Sequence, residues 1–189
     1  MPSPKRSPST APRSGRHADL VVDLVDRQRR VRIGQSWLVG LVRRALVAEG
    51  IQAAEVSVLL VDDRRIARVH DEWMGDATAT DVITFDLSAP AGAPDSDGVL
   101  RGDIVVSTET AARMAPQVGW TARSETAYYV VHGILHLTGH DDLAPGPRQV
   151  MRRRERTLMA SLGLPLPPRG KGEAKPATPR PAPAKRSRR

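Results

Sequence analysis

Residues 130–142 read VVHGILHLTGHDD, and this stretch decides how the rest of the sequence is interpreted. Its apolar residues belong to a helix predicted over residues 122–138, which Gly139 ends. His132 and His136 are four residues apart on that helix, so their rings project from one face about one turn apart. Two imidazoles at this spacing can bind one metal ion.

After the glycine the chain can fold back and supply a third ligand from residues 140–142. Two helical ligands and one from the following turn leave a tetrahedral zinc ion with an open position, which is typical of a catalytic site. A single histidine on an apolar helix is usually a core residue, but this pair followed by Gly-His-Asp-Asp favours a metal site. The protease motif H-E-x-x-H needs a glutamate where this sequence has Gly133, which disfavours a peptidase.

Around this stretch, strand and helix patterns alternate early in the chain and helices dominate late. Apolar β-rich runs predict four strands, over residues 18–26, 56–61, 80–87 and 102–107. Apolar spacings of three and four predict five helices, one capped by Asp62 or Asp63 and the others over residues 35–49, 108–117, 122–138 and 147–162. We therefore predict an α+β single domain, with a small mixed sheet of about four strands and about five packed helices.

The net charge of +8 is carried by the two ends of the 189-residue chain. Residues 1–17 hold four basic and no acidic side chains, and residues 165–189 hold eight basic side chains and one acidic. Both ends are rich in proline and small residues and have no apolar period, so we predict disordered basic tails. The domain between them, residues 18–164, has a net charge of −3.

Composition excludes several classes of protein. Cysteine is absent, so there is no disulfide framework, thiolate zinc site or cysteine nucleophile. No apolar run approaches the roughly 18 residues that a membrane helix needs. Residues 1–17 also lack the apolar core of a secretory signal, and we expect a cytoplasmic protein.

Three blocks of the sequence resemble the YbeY family of bacterial ribosomal-RNA maturation endoribonucleases. HGILHLTGHDD (132–142) is similar to the family signature H-G-x-L-H-L-x-G-Y-D-H. ATDVITFDL (79–87) and LRGDIVVS (100–107) resemble two further family blocks, in the family's order and spacing. The resemblance spans residues 50–160 and implies three zinc ligands, single-stranded RNA as substrate, and the ribosomal small subunit as partner.

The third zinc ligand is where the sequence departs from the signature. By position the family's three histidines correspond to His132, His136 and Asp142. A carboxylate is an acceptable zinc ligand, although it adds a negative charge and makes the ion a weaker Lewis acid. His140 stands where the family has tyrosine and is the alternative third ligand. In that alternative Asp142 would lie beside the ligands without binding the ion itself.

A second departure lies in the stretch VHDEWM (69–74), where the family has an arginine implicated in cleavage. Met74 takes that place, and a thioether cannot bind phosphate as a guanidinium does. His70 replaces a family asparagine, and it either faces the cleft or only packs against neighbouring residues. The basic residues that could substitute for the arginine, or could equally form a solvated surface, are Arg64, Arg65, Arg68 and Arg101.

Acidic residues of the matched blocks could orient a ligand imidazole through its second ring nitrogen. These acids are Asp81, Asp103, Glu125 and Asp141, although Asp81 and Asp103 could equally cap a turn or end a strand. We favour Asp141 and Glu125 for this role, and with His136 they form the predicted catalytic group.

Three functions remain in competition. The first is a zinc-dependent, single-strand-specific endoribonuclease in ribosomal-RNA maturation and ribosome quality control. The second is a non-catalytic ribosome-assembly or RNA-binding factor that keeps the metal site, as Met74 and Asp142 suggest. The third is another zinc hydrolase. The basic tails could contact RNA phosphates in a salt-dependent way in any of these, or only aid solubility.

Overall fold

One mixed sheet forms the centre of the computed structural model, which describes residues 19–89 and 97–167. Its strands are β1 (Asp19–Asp26), β2 (Ala53–Val61), β3 (Val82–Asp86) and β4 (Leu100–Ser107). They lie in the order β1-β2-β4-β3, with β1, β2 and β4 parallel and β3 antiparallel to β4. This arrangement confirms the predicted mixed four-stranded sheet.

Five α-helices occur in the described ranges, as the sequence predicts. They are α1 (Gln35–Ala48), α2 (Asp63–Met74), α3 (Thr108–Met114), α4 (Ala122–Leu137) and α5 (Pro145–Ser161). The helix predicted over residues 108–117 changes to a 3₁₀ turn at Ala115–Val118. Pro116 explains this change, because it has no N–H to continue the α-helical hydrogen bonds. No helix in residues 19–89 and 97–167 is long and apolar enough to span a membrane.

The two faces of the sheet are covered unequally. Apolar residues of α1, α4 and α5 form one core cluster with residues of β1, β2 and β4. On the other face a smaller cluster joins Ile66 of α2 to Val61, Ile83 and Val105 of three strands. The main core therefore fixes α4, which carries the paired histidines, against the sheet.

Two glycines let α4 approach the sheet closely. A Cβ atom at Gly102 of β4 would lie 2.4 Å from Cδ2 of Leu137 and 2.9 Å from the carbonyl oxygen of Phe85. A Cβ atom at Gly133 of α4 would lie 2.8 Å from Cγ2 of Ile104. Side chains at these positions would push the helix away from the sheet and displace the histidines that it carries.

Two helices begin at side-chain caps, and the first of these caps is one that the sequence predicts. Asp62 precedes α2, and its side chain accepts a hydrogen bond of 2.8 Å from the backbone N–H of Arg65. Ser107 precedes α3 and accepts one of 3.1 Å from the N–H of Thr110. Each cap pairs an N–H that the first helical turn cannot use.

The two tail predictions concern residues that lie mostly outside the described ranges. Residues 1–17 lie outside them entirely, as do residues 168–189 of the predicted C-terminal tail. The structure does describe residues 165–167 of that tail. Among them Pro167 is buried, and its carbonyl accepts a hydrogen bond from Arg156.

Candidate metal site

His132 and His136 of α4 bring their inner ring nitrogens together. The two Nε2 atoms lie 3.0 Å apart. Past the helix, Gly139 adopts a φ of 89°, a left-handed conformation that glycine adopts without strain. The chain then turns back, with the N–H of His140 donating to the carbonyl of Leu135 at 2.9 Å. The predicted turn after α4 is therefore present.

The turn brings Asp142 to the histidine pair. Its two carboxylate oxygens each lie 3.9 Å from an Nε2 atom, one from that of His132 and one from that of His136. These three residues form a group whose ligand atoms all lie within 4.8 Å of one another and that could hold a metal ion. The ring of His140 faces Glu49 instead, with Nε2 3.7 Å from Oε2.

The outer ring nitrogens determine which way the lone pairs point. Nδ1 of His132 lies 2.7 Å from Oε1 of Glu155, and Nδ1 of His136 lies 3.1 Å from the carbonyl oxygen of His140. A carbonyl only accepts, so Nδ1 of His136 carries the proton and donates it. The carboxylate of Glu155 favours the same tautomer for His132. In its neutral form each ring therefore presents an Nε2 lone pair to the space between the two rings and Asp142.

This donor set fits a zinc ion. Ligand atoms at about 2.0–2.1 Å from one tetrahedral ion lie about 3.3 Å from each other. The observed separations among the Nε2 and carboxylate atoms, 3.0, 3.9 and 3.9 Å, lie on both sides of that value. Imidazole nitrogen and carboxylate oxygen are both ordinary zinc ligands.

The pKa values of the two histidine rings are shifted in opposite directions. Burial by itself lowers the pKa of His132, but the hydrogen bond and charge of Glu155 outweigh burial and raise it. Burial and the nearby charge of His132 lower the pKa of His136. The ring of His136 therefore stays neutral near pH 7 and keeps its inward lone pair.

An open cleft of about 300 Å³ lies beside the histidine pair. Its lining residues are Met74, Asp81, Val82, Ile83, Thr84, Asp86, His132, His136 and Leu137. In addition to the histidines, the described lining includes the carboxylates of Asp81 and Asp86 and no arginine or lysine. Met74 lies at this cleft and is 58% exposed, so the residue at the family's arginine position reaches the site as a thioether.

The four arginines considered as substitutes lie elsewhere. Arg65 binds Asp62 at 3.2 Å, and Arg101 binds Asp97 at 2.8 Å. Arg64 and Arg68 are exposed on α2 and are absent from the described cleft lining. His70 also lies outside that lining, with Nδ1 2.9 Å from the carbonyl oxygen of Thr78. None of these five residues takes the place of the missing guanidinium.

The structure separates the three residues of the predicted catalytic group. His136 lines the cleft, but Asp141 accepts a hydrogen bond from the N–H of Leu143 at 3.1 Å. Glu125 lies buried seven residues before His132, about 10 Å along the helix axis at 1.5 Å per residue. The expectation that Asp141 and Glu125 orient the imidazoles is corrected, because Glu155 and a backbone carbonyl occupy those positions.

The other two acids also differ in position. Asp81 lines the cleft, and its Oδ1 accepts a hydrogen bond of 2.9 Å from the N–H of Val82 at the start of β3. It is therefore both a turn residue and a cleft residue. Asp103 lies in a separate depression with Glu55 and Ser57, on the strand side opposite the core.

Glu155 is the functional residue that sequence reasoning missed. It is 3% exposed and lies on α5 among the buried residues Met151, Leu158 and Met159. Its signal in the sequence is an acidic residue at the spacing of an apolar helix face. A buried carboxylate at such a position needs a partner, and here that partner is His132.

Together, the fold and the site define an α+β protein with a helix-borne histidine pair and an aspartate able to hold a metal ion. The family model described as Endoribonuclease YbeY matches residues 24–163. The chain therefore belongs to the YbeY family, as the three sequence blocks indicate.

Several curated relatives carry the name Endoribonuclease YbeY. The one from Anaeromyxobacter sp. (strain Fw109-5) is 44% identical over 119 residues, which is 63% of this chain and 60% of that protein. The one from Desulforamulus reducens is 39% identical over 127 residues, which is 66% of this chain and 83% of that protein. The matched part thus spans less than two thirds of the first relative and most of the second.

The fold also has a solved counterpart. The solution structure of a protein from Thermotoga maritima aligns with a TM-score of 0.50 and 21% identity. The alignment covers 75% of this chain and 91% of that one. This likeness supports the α+β fold.

Proposed function

We propose that this protein is a zinc-dependent endoribonuclease that cleaves single-stranded ribosomal RNA during maturation and quality control of the small ribosomal subunit. The observation that carries the proposal is the pair of inward Nε2 lone pairs of His132 and His136, held beside Asp142 at an open cleft. Membership of the YbeY family supports RNA as the substrate. We further propose a cytoplasmic location, where ribosomal RNA is processed.

His132, His136 and Asp142 would hold the zinc ion, which supplies Lewis acidity toward a phosphoryl oxygen. The cleft needs this positive charge, because its other charged lining residues are Asp81 and Asp86. Either carboxylate is a candidate base for the 2′-hydroxyl of the RNA strand. Glu155 acts through His132, keeping its ring oriented and its Nδ1 protonated.

A non-catalytic RNA-binding factor is the second candidate function, and one observation favours it. Met74 lies at the cleft where the family resemblance implies an arginine, and no described arginine replaces it. Phosphodiester cleavage commonly depends on a guanidinium or a second metal ion to stabilise the developing charge. The cleft of this chain therefore binds phosphate less strongly than a cleft with that arginine.

The peptidase form of a zinc hydrolase is disfavoured by packing. A Cβ atom at position 133 would already lie 2.8 Å from Ile104, so a glutamate base does not fit beside His132. The structure thus gives a steric reason for the glycine that breaks the H-E-x-x-H motif.

Cleavage of a single-stranded RNA by zinc-loaded protein tests the proposal. The matched control is His136→Ala, which removes one inward lone pair from an otherwise identical chain. We expect loss of cleavage in the variant and in wild type treated with a chelator. Equal cleavage by both proteins would overturn the endoribonuclease assignment and favour the RNA-binding factor.

A further inference from the structure

An arginine-rich turn follows β1 at the carboxyl end of the parallel strands. Residues 27–32 read RQRRVR, with four arginines in six positions. Three of them, Arg27, Arg29 and Arg30, line a cavity of about 620 Å³. This cavity is separate from the metal cleft and shares no described lining residue with it.

Gln28 holds this turn in one conformation. Its Oε1 accepts hydrogen bonds from the N–H groups of Arg30 at 2.6 Å and Val31 at 2.8 Å. Its Nε2 donates to the carbonyl of Val31 at 2.8 Å, and the hydroxyl of Thr108 donates to its Oε1 at 3.2 Å. A turn held in this way presents its arginines at low entropic cost on binding.

The carboxylates around the cavity already accept hydrogen bonds or form an ion pair with other groups. Asp26 accepts two hydrogen bonds from Gln28, each of 3.2 Å, and Asp62 pairs with Arg65. Glu109 accepts a hydrogen bond from the N–H of Asp63 at 3.1 Å. In contrast, the exposed side chains of the turn arginines form no ion pair within residues 19–89 and 97–167.

The arginine turn and the metal cleft lie at opposite edges of the sheet. The turn follows β1, the first strand in the order β1-β2-β4-β3, and Val82, Ile83 and Thr84 of β3, the last strand, line the cleft. Neighbouring strands are about 4.8 Å apart, so the three strand spacings between β1 and β3 make about 14 Å. A strand of RNA several nucleotides long is therefore required to reach both.

We propose that the arginine turn, residues 27–32, is a binding site for the phosphate backbone of RNA outside the metal cleft. Arginine binds phosphate through paired N–H donors, and a cluster of guanidinium groups on a fixed turn recognises the backbone without reading bases. The choice of RNA as ligand rests on the proposed function, but the site does not depend on cleavage. It supplies the phosphate affinity that the acidic cleft and Met74 do not.

The test compares two double variants of the full chain that remove equal charge. Arg29→Ala with Arg30→Ala changes the turn, and Arg152→Ala with Arg153→Ala changes exposed positions of α5. The probe is an oligouridylate with methylated 2′-hydroxyls, so binding is measured without 2′-hydroxyl attack. Thermal melting verifies that each variant is folded, and Arg27→Ala is an independent second variant of the turn.

We expect the turn variant to bind more weakly and to have a salt slope shallower by about 1.4, since each single-strand phosphate contact contributes about 0.7. The α5 variant should keep the wild-type slope. Equal slopes in both double variants would overturn the site. Loss of binding to polyglutamate without change on RNA would also overturn it, by indicating an acidic protein partner. Absence of cleavage with the expected binding difference would contradict the proposed function and leave this site standing.

Discussion

The Nδ1 atom of His132 lies 2.7 Å from Oε1 of Glu155, a residue 23 positions later on another helix. This contact joins α4 to α5 at the candidate metal site and favours one tautomer of the imidazole. The carboxylate is almost fully buried, so its charge acts on the ring with little screening by water. It therefore raises the affinity of the Nε2 lone pair for a cation.

Replacing Glu155 by Gln should weaken zinc binding by about 10–100-fold, the usual effect of losing a carboxylate behind a ligand histidine. The amide keeps the shape of the side chain but removes its charge. Competition titration against a zinc chelator measures the effect. Glu72→Gln, on the exposed side of α2, is the control and should bind zinc like wild type. Unchanged affinity in Glu155→Gln would mean that packing alone orients His132.

The third ligand can be assigned by comparing Asp142→Ala with His140→Ala. We expect Asp142→Ala to weaken zinc binding at least about tenfold, because it removes the carboxylate that would bind the ion. His140→Ala should retain zinc, since its ring faces Glu49 and its backbone carbonyl, which contacts His136, is kept. The same competition titration applies. The reverse order of affinities would make His140 the ligand.

Gly133→Ala should lower the free energy of unfolding by about 1–3 kcal/mol through overpacking. The added methyl group would lie 2.8 Å from Cγ2 of Ile104, a β-branched side chain with little rotamer freedom on its strand. Gly40→Ala in α1 is the matched control, because nothing lies within 4 Å of its added methyl group. That variant should gain about 0.5–1 kcal/mol. Urea unfolding measures both, and a gain at both positions would contradict the close packing of α4.

Glu125→Gln should raise the free energy of unfolding at neutral pH by roughly 1 kcal/mol. Glu125 is 7% exposed, its Oε2 has no hydrogen-bond partner in the described part of the chain, and burial raises its pKa. A raised carboxyl pKa means that the ionised form destabilises the fold. As pH falls through that pKa the wild-type carboxyl takes up a proton, and the difference between the two proteins should close. A difference independent of pH would show that ionisation is not its cause.

Met74→Arg should strengthen RNA binding and cleavage. A guanidinium at the cleft can form charge-assisted hydrogen bonds to phosphate, each worth about 1.5–3 kcal/mol, or about 10–100-fold in kcat/KM. Met74→Leu keeps the apolar character and should behave like wild type. Cleavage kinetics on single-stranded RNA measure the change. No gain in the arginine variant would mean that the acidic residues of the cleft hold the new side chain away from substrate.

Much of the site could be predicted from local sequence. The spacing of His132 and His136 is set by helical geometry, and Gly139 marks the turn that returns Asp142 to them. These relations span eleven residues, so backbone geometry alone determines them. The caps at Asp62 and Ser107 are local for the same reason.

The residues that hydrogen-bond to the two histidine rings from outside the site could not be predicted in this way. Asp141 and Glu125 are near the histidines in sequence, but their side chains point to a turn N–H and into the core. Glu155 is distant in sequence and becomes a neighbour only when α5 packs on α4. Side-chain direction at such positions depends on which helix faces meet.

The sequence by itself determined the fold class, the family and the histidine pair, and left the third metal ligand open between Asp142 and His140. Periodicity, turns and motif spacing are local properties, which is why the sequence reaches this far. Only the tertiary structure decided that Glu155 contacts His132, that Met74 lies at the cleft and that the arginine turn lies at the edge of the sheet opposite that cleft. The physical reason is that each of these depends on packing between segments far apart in the chain.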